Sequence, residues 1–344
     1  MRRPARTPVV LLLLGLLLAV SVVLSTGFGA EQLAPGVVLD VLRARLLGGP
    51  TDAVYDSIVW DLRVPRTLLA LVVGAGLAIA GTGIQTLVRN PLADPYLLGV
   101  SSGASVGAVA VITSGVFAGA GVWALSTGAL LGALAAALLV FAVATGQGGL
   151  TPLRLVLTGT VLGSAFSAIA SYLVFRSANS QAAESVLFWL LGSLSGADWS
   201  RLALPSVTVG LLGVLLLAAS GWLDALAAGP DTAASLGVPV RALRNTLFVV
   251  FAVLVGVLVA VSGGIGFVGL ILPHVARLLV GARHRRVLPV AAGAGAVFLV
   301  WVDVAARVAV RPVEIPLSVV TGLIGAPVFL LLMGRRRYRF SGGA

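Results

Sequence analysis

Of the 344 residues, 59% are apolar and only 10% are charged, against about a quarter charged in soluble domains; with a mean hydropathy of +1.09 the chain reads as an all-α, polytopic membrane protein and not as a porin-type barrel of short alternating segments. Cysteine is absent and all 23 basic residues are arginine, which excludes disulfides, thiolate metal sites, a P-loop lysine and Schiff-base chemistry. The two histidines, His274 and His284, are too few for an HExxH zinc site, so no metal site is expected, and the net charge of +11 is read as arginine gathered in the short loops of one membrane face and not as a nucleic-acid surface.

Apolar windows near the ~20 residues needed to cross a bilayer fall at about 8–26, 67–88, 97–114, 120–144, 152–175, 202–220, 245–262, 266–282, 287–310 and 316–333, about ten transmembrane helices in one domain covering 1–344. The first follows Arg2 and Arg3 as a signal peptide would, but its apolar run is long and no clear A-x-A site follows, so a retained helix is expected. With the N-terminus inside, the inner segments carry Arg2, Arg3, Arg6, Arg89, Arg154, Arg241, Arg244, Arg283, Arg285, Arg286, Arg335, Arg336, Arg337 and Arg339. The opposite face carries Glu31, Asp40, Asp52, Asp56, Asp61, Glu184, Asp198 and Glu314. Both termini are therefore expected in the cytoplasm, with 27–66 and 176–201 as the large extracytoplasmic segments. The second contains "SVLFWLLGSL", too short to span and so a re-entrant or interfacial helix.

Between the second and third spans lies "RNPLADPYLLGVSSGA" (89–104). Asn90-Pro91 and Asp94-Pro95 each read as an N-cap followed by proline at the first helical position. Gly99, Gly103 and Gly107 then recur every four residues, a small-residue face that admits a close neighbouring helix; Gly128/Gly132 and Gly159/Gly163 repeat the spacing. "GVSSG" (99–103) matches the nucleophile elbow, but that motif needs a strand-turn-helix and a triad histidine, which membrane helices do not supply.

In "SGWLDALAAGPDTAASLGVPVR" (220–241), Ser220 can cap a short helix ending at Gly229, and Asp231 a second ending at Gly237. Two short helices exceed what a linker needs and suggest a docking surface for a cytoplasmic protein. "GIGFVG" (264–269) lacks the βαβ context of a dinucleotide site and reads as a sharp outer turn, after which Pro273 begins or kinks a helix carrying His274, a helix-packing residue with a proton relay as the alternative. Asp303 and Arg307 stand four apart, the spacing of an intrahelical ion pair. Arg63 and Arg66, at the outer mouth of the second span, either anchor it at the interface or dock an acidic partner.

Taken in order, "RVPRTLLALVVGAGLAIAGTGIQTLVRNPLADPYLLGVSSGASVG" (63–107), "FWLLGSLSG" (188–196), "LDALAAGPDTAASLGV" (223–238), "GGIGFVGLILPHVARLLVG" (263–281) and "EIPLSVVTGLIGAPVFLLL" (314–332) closely resemble the FecCD-type permeases, membrane subunits of ABC importers for ferric siderophores, haem and cobalamin. The resemblance covers residues 63 to 333 and departs at Pro230, where the family often has an acidic residue. It implies a type II ABC importer permease-like bundle of ten helices in a prokaryotic cytoplasmic membrane. That bundle pairs with a second copy or a homologous permease, with two ATPase subunits and with an extracytoplasmic binding protein. ATP and magnesium would be used by the separate ATPase, with no cofactor on this chain. The resemblance also implies ATPase coupling through Leu223, Asp224, Ala225, Leu226, Gly229, Asp231, Ala234, Leu236 and Gly237. It implies binding-protein docking through Arg63, Arg66 and Arg307, and structural roles for Asn90, Pro91, Gly99, Gly103, Gly107, Pro273 and His274. Iron–siderophore is the preferred cargo on family frequency. An ion-coupled secondary transporter would need ionisable or unwound sites near the midplane, and an intramembrane enzyme a paired nucleophile and base; the residues show neither convincingly.

Overall fold

The computed structural model describes residues 6–29, 31–177 and 180–334; Arg2, Arg3, Arg335, Arg336, Arg337 and Arg339, used in the orientation argument, lie outside them. The helices in chain order are α1 (Arg6–Gly27), α2 (Pro35–Leu47), α3 (Ala53–Asp56), α4 (Val64–Leu87), α5 (Val100–Ser114), α6 (Ala124–Gly146), α7 (Pro152–Arg176) and α8 (Ser180–Leu190). They continue as α9 (Trp199–Ala218), α10 (Ser220–Ala228), α11 (Pro230–Ser235), α12 (Val240–Ser262), α13 (Val268–Val280), α14 (His284–Val308) and α15 (Leu317–Gly334). No strand is present among the described residues.

Seven of these helical stretches are long and apolar enough to cross a membrane, and three apolar helices are shorter: Val100–Ser114, Val268–Val280 and Leu317–Leu332. The ten expected spans are thus all found as apolar helices, but α5 and α13, of 15 and 13 residues, rise only about 20 Å against a hydrocarbon core of about 30 Å. Chain that is not α-helical precedes each: turns and the 3₁₀ run Pro95–Leu98 within 89–99 before α5, and 263–267 before α13. The two breaks meet. The Tyr96 hydroxyl accepts from the Ile265 amide at 2.8 Å and donates to the Ile265 carbonyl at 3.0 Å, while Ser318 Oγ donates to the Gly264 carbonyl at 2.7 Å. "GIGFVG" is therefore not an outer turn but a break inside the bundle. Pro273 stands inside α13, not at its start.

The opening of α5 also differs from expectation. Asn90 does not cap a helix: its Oδ1 accepts from the Leu92 amide at 2.9 Å, an Asx turn that reverses the chain. Asp94 does cap, accepting from Tyr96 N at 2.9 Å, but opens only the 3₁₀ turn Pro95–Leu98. Gly99 then takes a left-handed conformation (φ 71°, ψ 0°) and precedes α5 instead of belonging to its small-residue face. Gly103 and Gly107 do form that face. A Cβ on Gly103 would lie 2.2 Å from Ala136 Cβ, and one on Gly107 1.9 Å from the Gly128 carbonyl, so α5 and α6 touch backbone to backbone as the glycine spacing predicts.

Helix α4 is the axis of the molecule. Its buried glycines admit three neighbours: a Cβ on Gly74 would sit 2.2 Å from the Gly295 carbonyl of α14, one on Gly81 1.9 Å from the Gly269 carbonyl of α13, and one on Gly83 2.0 Å from the Phe251 ring of α12. At one end of α4 the segment 27–66 folds into α2, α3 and a π-helical run Ser57–Arg63, packed around buried Val38, Val41, Val59 and Val64. Trp199 Nε1 donates to the Trp60 carbonyl at 2.9 Å, joining this cap to the segment 176–201, which supplies the short helix α8. At the other end lie α10 and α11. Neither begins as expected: Ser220 is the first residue of α10 without a capping bond, and Asp231 sits inside the first turn of α11, which Gly229 and Pro230 open. Gly229 and Gly237, with φ of 131° and 77°, end the two helices where their glycines predict.

Candidate functional site

Polar side chains gather at the α10 end, at the α2 end and in a groove between them, as well as in a cavity lined by Ser126, Glu184, Ser193, Ser195 and Arg201. At the α10 end the two short helices sort the expected coupling residues into anchors and exposed positions. Leu223, Ala225, Leu226 and Gly229 are buried against the bundle, whereas Asp231, Ala234, Leu236 and Gly237 face outward. Leu236 is 67% exposed, an apolar side chain offered at the tip of a capped turn. Asp224 is half-buried and turns inward. Its Oδ1 accepts from the backbone amide of His284 at 2.9 Å and lies 2.6 Å from His284 Nδ1. The other ring nitrogen, Nε2, is 2.7 Å from Thr86 Oγ1 at the end of α4. One imidazole, 4% exposed, thus joins α10, α14 and α4.

Beside Thr86, Gln85 is a second tie. Its side-chain amide lies within 3.4 Å of the carbonyls of Ala93, Gly269 and Leu270, and its Oε1 accepts from Arg277 Nη1 at 2.7 Å. Sequence reasoning missed the His284–Thr86 contact and the whole Gln85 hub. Asp224 and His284 are 60 positions apart and Gln85 and Arg277 192, with no local spacing that announces either pair. His274 is half-buried on α13.

At the α2 end, Arg66 reaches from α4 to two carboxylates. It donates from Nε to Asp303 Oδ1 at 2.9 Å and holds Glu314 by both oxygens at 2.8 and 2.9 Å. Arg307 lies 3.0 Å from Asp303 Oδ2, the intrahelical pair expected from their spacing, and donates to the Phe28 carbonyl at 2.7 Å. Arg63 donates to the carbonyls of Thr26, Gly27 and Glu31 at 2.8–3.1 Å. The three arginines singled out by sequence therefore come together, but each is already engaged. The Asp303 side chain is 1% exposed and that of Glu314 34%, so Asp303 is a fixed internal counter-ion and Glu314 the accessible one.

The groove runs along α5 and α7 at the level of the Tyr96 break, lined by Asp94, Tyr96, Ser102, Thr160, Ser164 and Ser167 with glycines between. No lining residue is basic. Thr160, Ser164, Ser167 and Ser171 continue it as an exposed hydroxyl stripe on α7; Ser164 and Ser171 donate back to carbonyls four residues earlier at 3.0 and 2.9 Å, which lets the stripe face an apolar or a wet surface. Among the described residues no group of three or more His, Cys, Asp or Glu could hold a metal ion.

Comparison with known proteins places this geometry. The model of the FecCD transport family matches residues 17–335. The vitamin B12 import system permease BtuC of Salmonella paratyphi A is 40% identical, over 94% of this chain and 94% of its own. The molybdate import system permease MolB of Haemophilus influenzae is 37% identical, over 96% of this chain and 97% of its own. A solved structure described as an inward-facing conformation of a metal-chelate type ABC transporter superposes with a TM-score of 0.84 at 36% identity, covering 96% of this chain and all of that one.

Proposed function

This chain belongs to the FecCD transport family and is a membrane-embedded permease of an ABC importer, not itself an enzyme, and on that premise we propose that its cargo is an iron–siderophore or a related metal chelate such as cobalamin or haem. The observation that carries this reading is the groove along α5 and α7, which offers hydroxyls, a tyrosine and one carboxylate but no cation. A bare oxyanion calls for guanidinium, ammonium or convergent N–H donors. A large chelate, which wraps its metal in its own polar groups and spreads its charge over a wide surface, is served by small side chains and hydroxyls.

The MolB relative supports a second reading, an oxyanion as cargo. The experiment is ATP-driven uptake by the complete importer in proteoliposomes, offered ferric siderophores, haem, cyanocobalamin and molybdate in turn. Uptake of a chelate with molybdate excluded is the result expected; uptake of molybdate alone would overturn the proposal.

In the same proposal the α10 end is cytoplasmic, in keeping with Arg241, Arg244, Arg283, Arg285 and Arg286 near it, and so are both termini. The exposed Ala234, Leu236, Asp231 and Gly237 meet a cleft on each of two ATPase subunits, where ATP and magnesium are used; Leu223, Ala225, Leu226 and Gly229 seat the coupling helices. The α2 end meets an extracytoplasmic binding protein. Arg66 is the docking arginine, because a partner's carboxylate can replace the accessible Glu314 without disturbing Asp303; Arg63 and Arg307 shape the positive ground around it. A second permease, a copy or a homologue, faces the hydroxyl stripe of α7. An ion-coupled mechanism is not favoured: the Asp303 cluster lies at the α2 end of the bundle and not midway along it.

A further inference from the structure

The bonds at the inner end of α4 form one connected set. Asp224 on α10 holds His284 by its backbone amide and by Nδ1, and His284 Nε2 meets Thr86 Oγ1. The preceding residue, Gln85, is 3% exposed and grips both broken crossings: the Ala93 carbonyl in the segment leading to α5, and the Gly269 and Leu270 carbonyls at the start of α13. Arg277, one helical turn before the end of α13, closes the set on Gln85 Oε1. Elsewhere the breaks are held by Tyr96 on Ile265 and by Ser318 on Gly264. Unpaired amides and carbonyls inside a membrane are costly, so a displacement of Gln85 forces the breaks to exchange partners instead of merely stretching.

We infer that His284, Thr86 and Gln85 are the junction that carries movement of the coupling helices into the two broken crossings beside the groove. His284 is a positioning residue: it touches neither the ATPase nor the cargo. It converts a shift of α10 into a shift of α4's inner end, because a bond at each ring nitrogen and one at the backbone amide leave the imidazole no slack. Gln85 then passes the shift to 89–99 and to α13 together, which makes the two breaks move as a pair. The inference rests on the assignment of α10 and α11 to the ATPase.

The absence of cysteine makes the test clean. In the assembled importer, a cysteine is placed in the groove by Ser102→Cys, and its labelling rate with a maleimide is compared in the resting state and after trapping with ATP and vanadate. The parent is expected to change its rate on trapping. Thr86→Val, which removes one hydroxyl at nearly constant shape, and His284→Ala should each lose that change while the ATPase still co-purifies and hydrolyses ATP; Thr86→Ser, which keeps the hydroxyl, should retain it. A trapped-state change that persists in both Thr86→Val and His284→Ala overturns the junction, as does a parent whose Ser102→Cys rate is indifferent to nucleotide. Leu236→Asp separates this from the docking assignment: if that variant keeps its ATPase and its trapped-state change, it is the docking assignment that fails.

Discussion

At the α2 end, two arginines share two carboxylates; at the α10 end, one imidazole bridges a carboxylate and a hydroxyl. The same helix carries both arrangements, with Arg66 and Thr86 separated by 20 residues, about 30 Å along α4. The difference teaches where each end can yield. Asp303 is sealed between Arg66 and Arg307, so the ionic cluster yields only at Glu314, its one accessible member. At the α10 end Asp224 is equally accessible, its side chain 37% exposed, but His284 and Thr86 behind it are buried. Each bond of Asp224–His284–Thr86 is in series with the next, an arrangement suited to transmitting movement and not to exchanging partners.

The comparison is broken most severely by removing the sealed counter-ion. Asp303→Ala leaves Arg66 and Arg307 facing each other in a buried site, and loss of one partner of a buried ion pair costs about 3–5 kcal/mol; the expected result is a collapse of detergent-stable protein in a thermal unfolding assay, with Asp303→Asn milder.

A control lies between the ends. Gly103→Leu forces apart a contact in which even a Cβ would lie 2.2 Å from Ala136, and overpacking of this kind costs about 1–3 kcal/mol or more. It should reduce folded yield without preferring either partner; a stable Gly103→Leu protein with altered cargo preference would place Gly103 on the path instead.

Arg66→Glu replaces attraction by repulsion and should weaken binding-protein affinity by about 2–5 kcal/mol at low salt, with Arg66→Ala intermediate. Titration at low and high salt checks it: equal affinity for parent and Arg66→Glu would leave Arg66 as a purely internal tie.

The smallest effect is also the most diagnostic. Glu314→Gln loosens the pairing that a docking carboxylate must displace, and because Glu314 is partly exposed the gain is only about 0.5–1 kcal/mol of binding-protein affinity. Weaker binding in Glu314→Gln would show that Glu314 positions Arg66 instead of competing for it.

Much of this was legible in the sequence. Bilayer thickness imposes an apolar length on every crossing, so all ten segments could be placed, and the glycines of α5 and α6 announced their contact. The breaks were not legible, because hydropathy is the same whether "RNPLADPYLL" or "GGIGF" runs helical or irregular; the asparagine and glycine at 90 and 99 imitated a cap and a helical repeat. Gly229 and Gly237 fixed where α10 and α11 end, since few other residues take those backbone angles, whereas Ser220 and Asp231, adequate caps by type, were displaced by their neighbours. The site's partners were hidden by distance along the chain: Arg66 finds Asp303 237 positions away, and nothing near Thr86 points to His284. The Asp303–Arg307 pair, four residues apart on one helix, was the exception because it is local.

The division of labour between the two ends is tested most directly by measuring both partners on the same preparations. Arg66→Glu and Leu236→Asp are purified in parallel, and each is assayed for binding-protein affinity and for ATPase co-purification. The account predicts a clean crossing: Arg66→Glu loses the binding protein and keeps the ATPase, while Leu236→Asp loses the ATPase and keeps the binding protein. Loss of both partners in either stably folded variant, or the reverse assignment, would contradict it.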